Sequence, residues 1–168
     1  MRRQAGAPER LRQDGRAPRP HPADDVPMTA PTAPVFRLPV RVYWEDTDAG
    51  GVVFYANYLK FFERARTEWL RSRGHLQERW RQDSGIGFVV TDTSVRYRCP
   101  ARLDDLLDVT VAVAHAGQAS FTVAQQAWRS DEPGRPQLLA EGRIRIGCVL
   151  LGTFKPCRIP SAILDSIR

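Results

Sequence analysis

The pattern of apolar and polar positions changes character at about residue 35. Upstream, residues 1–34, "MRRQAGAPERLRQDGRAPRPHPADDVPMTAPTAP", are rich in Pro, Ala and Arg and show no apolar period. Such a segment cannot bury enough surface to offset its ordering entropy, so a disordered N-terminal extension is expected. Met28, near its end, is an alternative start of translation. Downstream, "VFRLPVRVYWED" sets Val40, Val42 and Trp44 at every second position, the period of a half-buried strand. Gly50 and Gly51 break that run. From Asn57, which suits an N-cap, Tyr58, Phe61, Phe62, Ala65, Trp69 and Leu70 recur at helical spacing. Lys60, Arg64, Glu68 and Arg71 occupy the other faces, and Gly74 supplies a stop. The spacing predicts a helix over about 57–73.

The period then returns to two. "GFVVTDTSVRYRC" places Val89, Thr91, Thr93, Val95 and Tyr97 on one side. "LLDVTVAVAHA", "SFTVAQQAWRS" and "QLLAEGRIRIGCVLL" read as further strands, with Gly117 and "DEPGRP" as the turns between them. "PSAILDSIR" is compatible with a short terminal helix. One strand, one long helix and then about four strands in meander make an α+β pattern, with a helix packed on one face of an antiparallel sheet.

Composition narrows the picture. A chain of 168 residues suits one domain, here 35–168. The formal charge is +6, carried almost wholly by arginine, since Lys60 and Lys155 are the only lysines. Nucleic acid, an anionic membrane surface, a phosphorylated ligand or a simple arginine bias would each account for it. Residues 1–34 contain no aromatics for base stacking, and Asp14, Asp24 and Asp25 dilute their charge, which argues against a nucleic-acid arm. No apolar run approaches the roughly 18 residues of a membrane span, and no apolar segment follows the first arginines as a secretory signal requires. Cys99, Cys148 and Cys157 are odd in number and far apart, and His21, His75 and His115 are equally scattered. No disulfide framework and no metal site is expected, in keeping with a reducing cytoplasm, and no cofactor is called for.

The candidate chemistry lies in residues 44–58. Glu45, Asp46 and Asp48 crowd together just before two glycines and a helix start. A helix N-terminus presents unpaired N–H groups and partial positive charge, which suit a developing oxyanion. A carboxylate beside it would attack an acyl carbonyl or activate water. Ordinary turn chemistry, Asp before Gly, explains the same residues, and spacing alone leaves both readings open. Glu63 and Glu68 on the helix are second candidates. Against them stands a surface ion pair of Arg64 with Glu68, worth a few tenths of a kcal/mol. Asp104 and Asp105 are expected to be solvated, Trp69 and Trp80 to be core or interface, and Cys99 to be a small buried residue without a His partner.

"VRVYWEDTDAGGVVFYANYLKFFERARTEWLR" resembles the acyl-CoA thioesterases associated with the Tol-Pal system, the YbgC type. These belong to the hydroxybenzoyl-CoA thioesterase group of the hotdog fold. The resemblance runs from about Phe36 to Arg158 and includes "YRCPARLDDLLDV". It implies a sheet of about five strands wrapped around one long helix, and hydrolysis of acyl-CoA to free acid and coenzyme A. It also implies Asp48 as the catalytic carboxylate, as base or nucleophile. The backbone N–H of Tyr55 would polarise the carbonyl, and Gly51, Val52, Ala56 and His115 would be substrate-binding positions. A homodimer or homotetramer is implied, with the site at the subunit boundary. An acyl carrier protein as thiol carrier, or a scaffold for lipid-synthesis or envelope proteins, remains the alternative. Three departures stand out. Tyr55 replaces the His common in YbgC-type members, and Tyr43-Trp44 replaces Tyr-Tyr. "HAGQAS" offers only His115 where relatives often carry Arg or Lys toward the coenzyme phosphates; Arg96, Arg98, Arg102 or Arg143 would then have to substitute.

Overall fold

The computed structural model describes residues 36–129 and 136–167. The expected extension, residues 1–34, and most of the "DEPGRP" loop lie outside them. The elements are β1 (Phe36–Arg41), a 3-10 turn (Trp44–Asp46), α1 (Asn57–Ser72), α2 (Gln77–Ser84), β2 (Ile86–Tyr97), β3 (Leu106–Ala116), β4 (Ser120–Arg129), β5 (Gln137–Leu150), β6 (Lys155–Pro156) and α3 (Ser161–Ile167). The sheet runs β1-β3-β4-β5-β2, antiparallel throughout, with β6 pairing the end of β5. It is the curled antiparallel sheet with one long helix that the hotdog resemblance implies.

The meander holds only for β3, β4 and β5. β2 sits on the far edge beside β5, with Ile86 opposite Leu150. The cause is the helix. α1 packs across β1, β3 and β4, and α2 then carries the chain to β2 on the edge opposite β1. The first strand also stops earlier than its alternation suggests. Val42 is buried, but the backbone turns back at Tyr43, and Trp44 is 79% exposed. In β2 a register shift between Val90 and Asp92 breaks the strict alternation expected there. Ahead of the shift Phe88 faces the core; beyond it Val95 does. The residues expected on one side are therefore divided between two.

The buried stripe of α1 is the predicted one. Phe61, Phe62, Ala65, Trp69 and Leu70 pack against Val109 and Val111 of β3, Phe121 and Val123 of β4 and Ile144 and Ile146 of β5. Each large side chain so buried contributes about 1.5–3 kcal/mol. Gly142 lets the helix come close, since a Cβ there would lie 3.3 Å from the Phe62 ring and 3.0 Å from the Ser94 carbonyl. One polar group enters this core. Gln125 is fully buried on β4, its Nε2 donating to the Phe62 carbonyl (3.0 Å) and its Oε1 accepting from Arg66 (2.8 Å). The pair fixes the helix along the sheet, and burial holds the Arg66 guanidinium below its ordinary value. At the other end of the helix, α3 buries Ile163 and Ile167, and its Ser166 meets His75 Nε2 at 2.7 Å.

Candidate active site

Residues 47–53 form a tight hairpin closed by a bridge between Thr47 and Val53. Asp48 N–H donates to the Val52 carbonyl (2.9 Å), and Gly51 N–H donates to the Asp48 carbonyl (3.0 Å). Gly51 has φ +71°, the left-handed conformation in which glycine carries no Cβ penalty. The turn chemistry expected of Asp48 is present. Its Oδ1 accepts the Gly50 N–H at 2.8 Å and caps the turn, while Oδ2 has no protein partner among the described residues. The side chain is exposed.

Asp46, two residues earlier, is its opposite. It is 2% exposed. Its Oδ2 accepts the Tyr43 N–H (2.9 Å), and its carbonyl accepts Phe54 N–H (2.9 Å) and Asn57 Nδ2 (2.9 Å). One residue thus joins the end of β1, the hairpin and the helix. Asn57 does not cap α1 as expected. It is the first helical residue, Ala56 precedes it without a side-chain cap, and the Asn57 amide reaches back to Asp46 instead.

The segment between β2 and β3 forms the other wall. Val53 N–H donates to the Ala101 carbonyl (2.8 Å), and Ala101 N–H donates to Tyr58 Oη (3.0 Å). Asp105, expected to be solvated, is paired. Its Oδ2 accepts Arg102 N–H at 2.8 Å and the Arg129 guanidinium at 2.7 Å, so it secures the start of β3. These bonds hold the hairpin against the beginning of α1. There, Phe54 and Asn57 N–H are taken by the Asp46 and Phe54 carbonyls. Tyr55 and Ala56 N–H have no protein acceptor among the described residues. Two free donors at the positive end of a sixteen-residue helix can bind an acyl oxyanion, and a carboxylate with a free oxygen, carried on the hairpin that leads into that helix, can activate water.

The surroundings are aromatic. Tyr97, at the end of β2, donates to the Tyr55 carbonyl (2.9 Å), and its ring centroid lies 6.3 Å from Tyr55 and 5.6 Å from Tyr58. Burial pushes the Tyr58 and Tyr97 phenols above their ordinary value of 10.0.

Gly51, Val52, Ala56, Asp48 and Tyr55 thus lie on one hairpin-and-helix start. His115 does not join them within one chain. It is exposed near the far end of β3, about 30 Å from Leu106 at the strand rise of roughly 3.3 Å per residue. Glu63 lies about 9 Å along the helix axis from Asn57, at 1.5 Å per residue. It accepts from Thr67 Oγ1 (2.8 Å) at the rim of a cavity of about 130 Å³ floored by Trp69, Phe88 and Phe121. Glu68 pairs with Arg71, one turn away, and not with Arg64. Among the described residues, no three His, Cys, Asp or Glu side chains are placed to hold a metal ion. Sequence reasoning missed the Tyr97 bond and the approach of Cys148 to Cys157, whose sulfurs lie 3.4 Å apart. Both are contacts between elements that no local spacing reveals.

The family model described as the thioesterase-like superfamily matches residues 42–167, which include the hairpin, α1 and the whole sheet beyond β1. The chain belongs to the thioesterase-like superfamily. Among its relatives, the acyl-CoA thioesterase YbgC of Haemophilus influenzae is 41% identical over 128 residues, 76% of this chain and 90% of that protein. The crystal structure of a probable thioesterase from Bartonella henselae matches with TM-score 0.70 at 29% identity, covering 76% of this chain and 100% of that one. The structure of 4-hydroxybenzoyl CoA thioesterase from Pseudomonas sp. strain CBS-3 matches with TM-score 0.73, covering 80% and 99%. At 20% identity it attests the shared fold alone. The YbgC resemblance of the sequence is thus found in this thioesterase-like chain. Its departures at Tyr43-Trp44 and Tyr55 leave the hydrogen-bonded backbone of the hairpin intact.

Proposed function

We infer that this chain hydrolyses acyl-CoA thioesters to a free carboxylic acid and coenzyme A, with Asp48 and the Tyr55 N–H as its catalytic groups. The observation that carries the reading is a carboxylate with an unpartnered oxygen on the hairpin that leads into α1, whose first N–H groups, Tyr55 and Ala56, have no protein acceptor among the described residues. The thioester oxygen takes up negative charge at the Tyr55 N–H, with Ala56 N–H as second donor. Asp48 either accepts a proton from water as that water adds to the carbonyl carbon, or adds to the carbon itself and forms an anhydride that water then opens. In both routes the C–S bond breaks and the thiolate leaves to be protonated. General-base assistance is worth about 10²–10⁴-fold. One oxyanion donor is worth about 10²–10³-fold.

The reading includes a second copy of the chain. β2 pairs on one edge only, among the described residues; its Val90 is 51% and its Tyr97 45% exposed, and Tyr97 lies against Tyr55. Such an edge calls for cover. A homodimer formed there would enclose the mouth of the site, and a homotetramer would pair such dimers. No helix among the described residues is long and apolar enough to cross a membrane. The unbridged Cys99, Cys148 and Cys157 suit a reducing cytoplasm.

The test is thiol release by the purified protein from acyl-CoAs of graded length, with the matching acyl-carrier-protein thioesters alongside. Asp48→Asn keeps an oxygen for the Gly50 N–H and loses the charge, so it should cost about 10²–10⁴-fold in kcat/KM without moving the melting temperature. Near-normal turnover in Asp48→Asn, with loss in Glu63→Gln, would transfer the chemistry to the helix. Hydrolysis of carrier-protein thioesters alone would change the substrate. Absence of turnover on both would leave a scaffold. Monomeric mass by sedimentation at micromolar protein would remove the dimer.

A further inference from the structure

We propose that Tyr97 is a positioning residue for the second oxyanion donor, the Ala56 N–H, acting through the peptide group that joins Tyr55 to Ala56; the proposal rests on the catalytic reading above. The geometry begins with an orphaned carbonyl. In a regular helix the Tyr55 carbonyl would accept from Leu59, four residues on. Here Leu59 N–H turns to the Ala56 carbonyl instead, at 3.1 Å. No other backbone N–H among the described residues reaches the Tyr55 oxygen. The Tyr97 hydroxyl takes that place from a strand on the far edge of the sheet, at 2.9 Å.

The Tyr55 carbonyl and the Ala56 N–H are opposite ends of one planar unit. Holding the oxygen therefore fixes the direction of the N–H. A donor on the carbonyl also polarises the amide and strengthens the N–H as a donor at its other end. The phenol is itself held. Its ring meets Tyr55 edge-on and Tyr58 at a tilt, and Tyr58 is anchored by the Ala101 N–H. A phenol is protonated at neutral pH, so the hydroxyl is a donor there, and burial raises the Tyr97 phenol further above its ordinary value. Tyr97 touches neither substrate nor reacting atoms in this account. It aims a group that does.

The consequence is a loss confined to the transition state. Removing an oxyanion donor outright costs about 10²–10³-fold, and misaiming one should cost a part of that, about 10–100-fold. Tyr97→Phe keeps the ring and deletes the hydroxyl. Its expected signature is a kcat lower by that factor, with KM, melting temperature and sedimentation mass unchanged. Tyr97→Phe equal to the unaltered protein, or defective equally in KM and melting temperature, would overturn the proposal. Replacement of Tyr97 by a ring-fluorinated tyrosine supplies an independent reading. It lowers the phenol pKa and strengthens the hydroxyl as a donor, so kcat at neutral pH should stay at or above that of the unaltered protein, and a fluorinated protein as slow as Tyr97→Phe also overturns the proposal. The unaltered protein and Asp48→Asn are assayed in parallel. If the first turns over, Asp48→Asn does not, and Tyr97→Phe is normal, the positioning role alone fails. If the unaltered protein releases no thiol, the catalytic reading fails and takes this one with it.

Discussion

Replacing Asp46 by alanine separates the two acids of the hairpin. Asp46→Ala deletes the acceptor of the Tyr43 N–H but not the Asp46 carbonyl, so Phe54 N–H and the Asn57 amide keep their partner. The loss is one charge-assisted hydrogen bond, worth about 1.5–3 kcal/mol. Part of this is offset, because alanine also removes a carboxylate held out of water at 2% exposure. A net cost of about 1.5 kcal/mol is expected, and at about 2–4 °C per kcal/mol for a chain of this size the melting temperature should fall by about 3–6 °C. Turnover measured well below that temperature should change by less than about tenfold, against the about 10²–10⁴-fold expected of Asp48→Asn. The remaining anchors explain the difference. The Thr47–Val53 bridge and the Val53–Ala101 bond still hold the hairpin to its neighbours. Thermal unfolding by circular dichroism and thiol release at 20 °C read the two effects separately. The reasoning is refuted if Asp46→Ala melts with the unaltered protein, or if it is folded and as inactive as Asp48→Asn.

Gly51→Ala meets no atom within 4 Å of the new Cβ, so its cost is the left-handed backbone alone, about 1–2 kcal/mol. Lower melting temperature and turnover are expected, with Gly51→Asn recovering part of both; an alanine variant equal to the unaltered protein would disprove it. Burial, followed by the contact with Cys157, pushes the Cys148 thiol from 9.0 up to about 12. The folded state therefore keeps a proton that the unfolded state releases, so this contribution is complete below about pH 9 and is lost as pH rises toward 12. The urea midpoint should fall less steeply above pH 9 in Cys148→Ala than in the unaltered protein, and parallel curves would contradict the assignment.

What local pattern controls was legible in the sequence. The stripe of Phe61, Phe62, Ala65 and Trp69 marks α1 to within a residue of its observed end at Ser72, because burying one face is what makes that segment a helix. β3 and β4 were likewise legible as strands. α2 escaped notice because none of its residues is buried, so it leaves no apolar period. The sheet order escaped because a strand's sequence states which side is apolar, not which strand lies beside it. In the site, the resemblance pointed to Asp48, while the geometry shows why one aspartate is available and the other is not. Asp46 is buried, with its Oδ2 taken by the Tyr43 N–H. Tyr97 was invisible as a site residue, since a hydroxyl reaching a carbonyl across 42 residues of chain leaves no trace in either segment.

The order of the strands also governs when the molecule can form. Among the described residues β1 pairs only with β3, Arg41 facing Leu106, and β2 pairs only with β5, Ile86 facing Leu150. As the chain is synthesised, β1, α1 and β2 all emerge before either partner strand exists. The aromatic stripe of α1 has no sheet to cover it during that interval. Folds dominated by such distant pairings mature in milliseconds to seconds, not microseconds, and their unfinished chains expose apolar surface. A copy cut short before Gln137 would strand β2 as well as lose β5. Tyr97 would be present in such a copy, but β2 would lack the strand that holds it in the sheet, so the bond from its hydroxyl to the Tyr55 carbonyl waits on the last long strand.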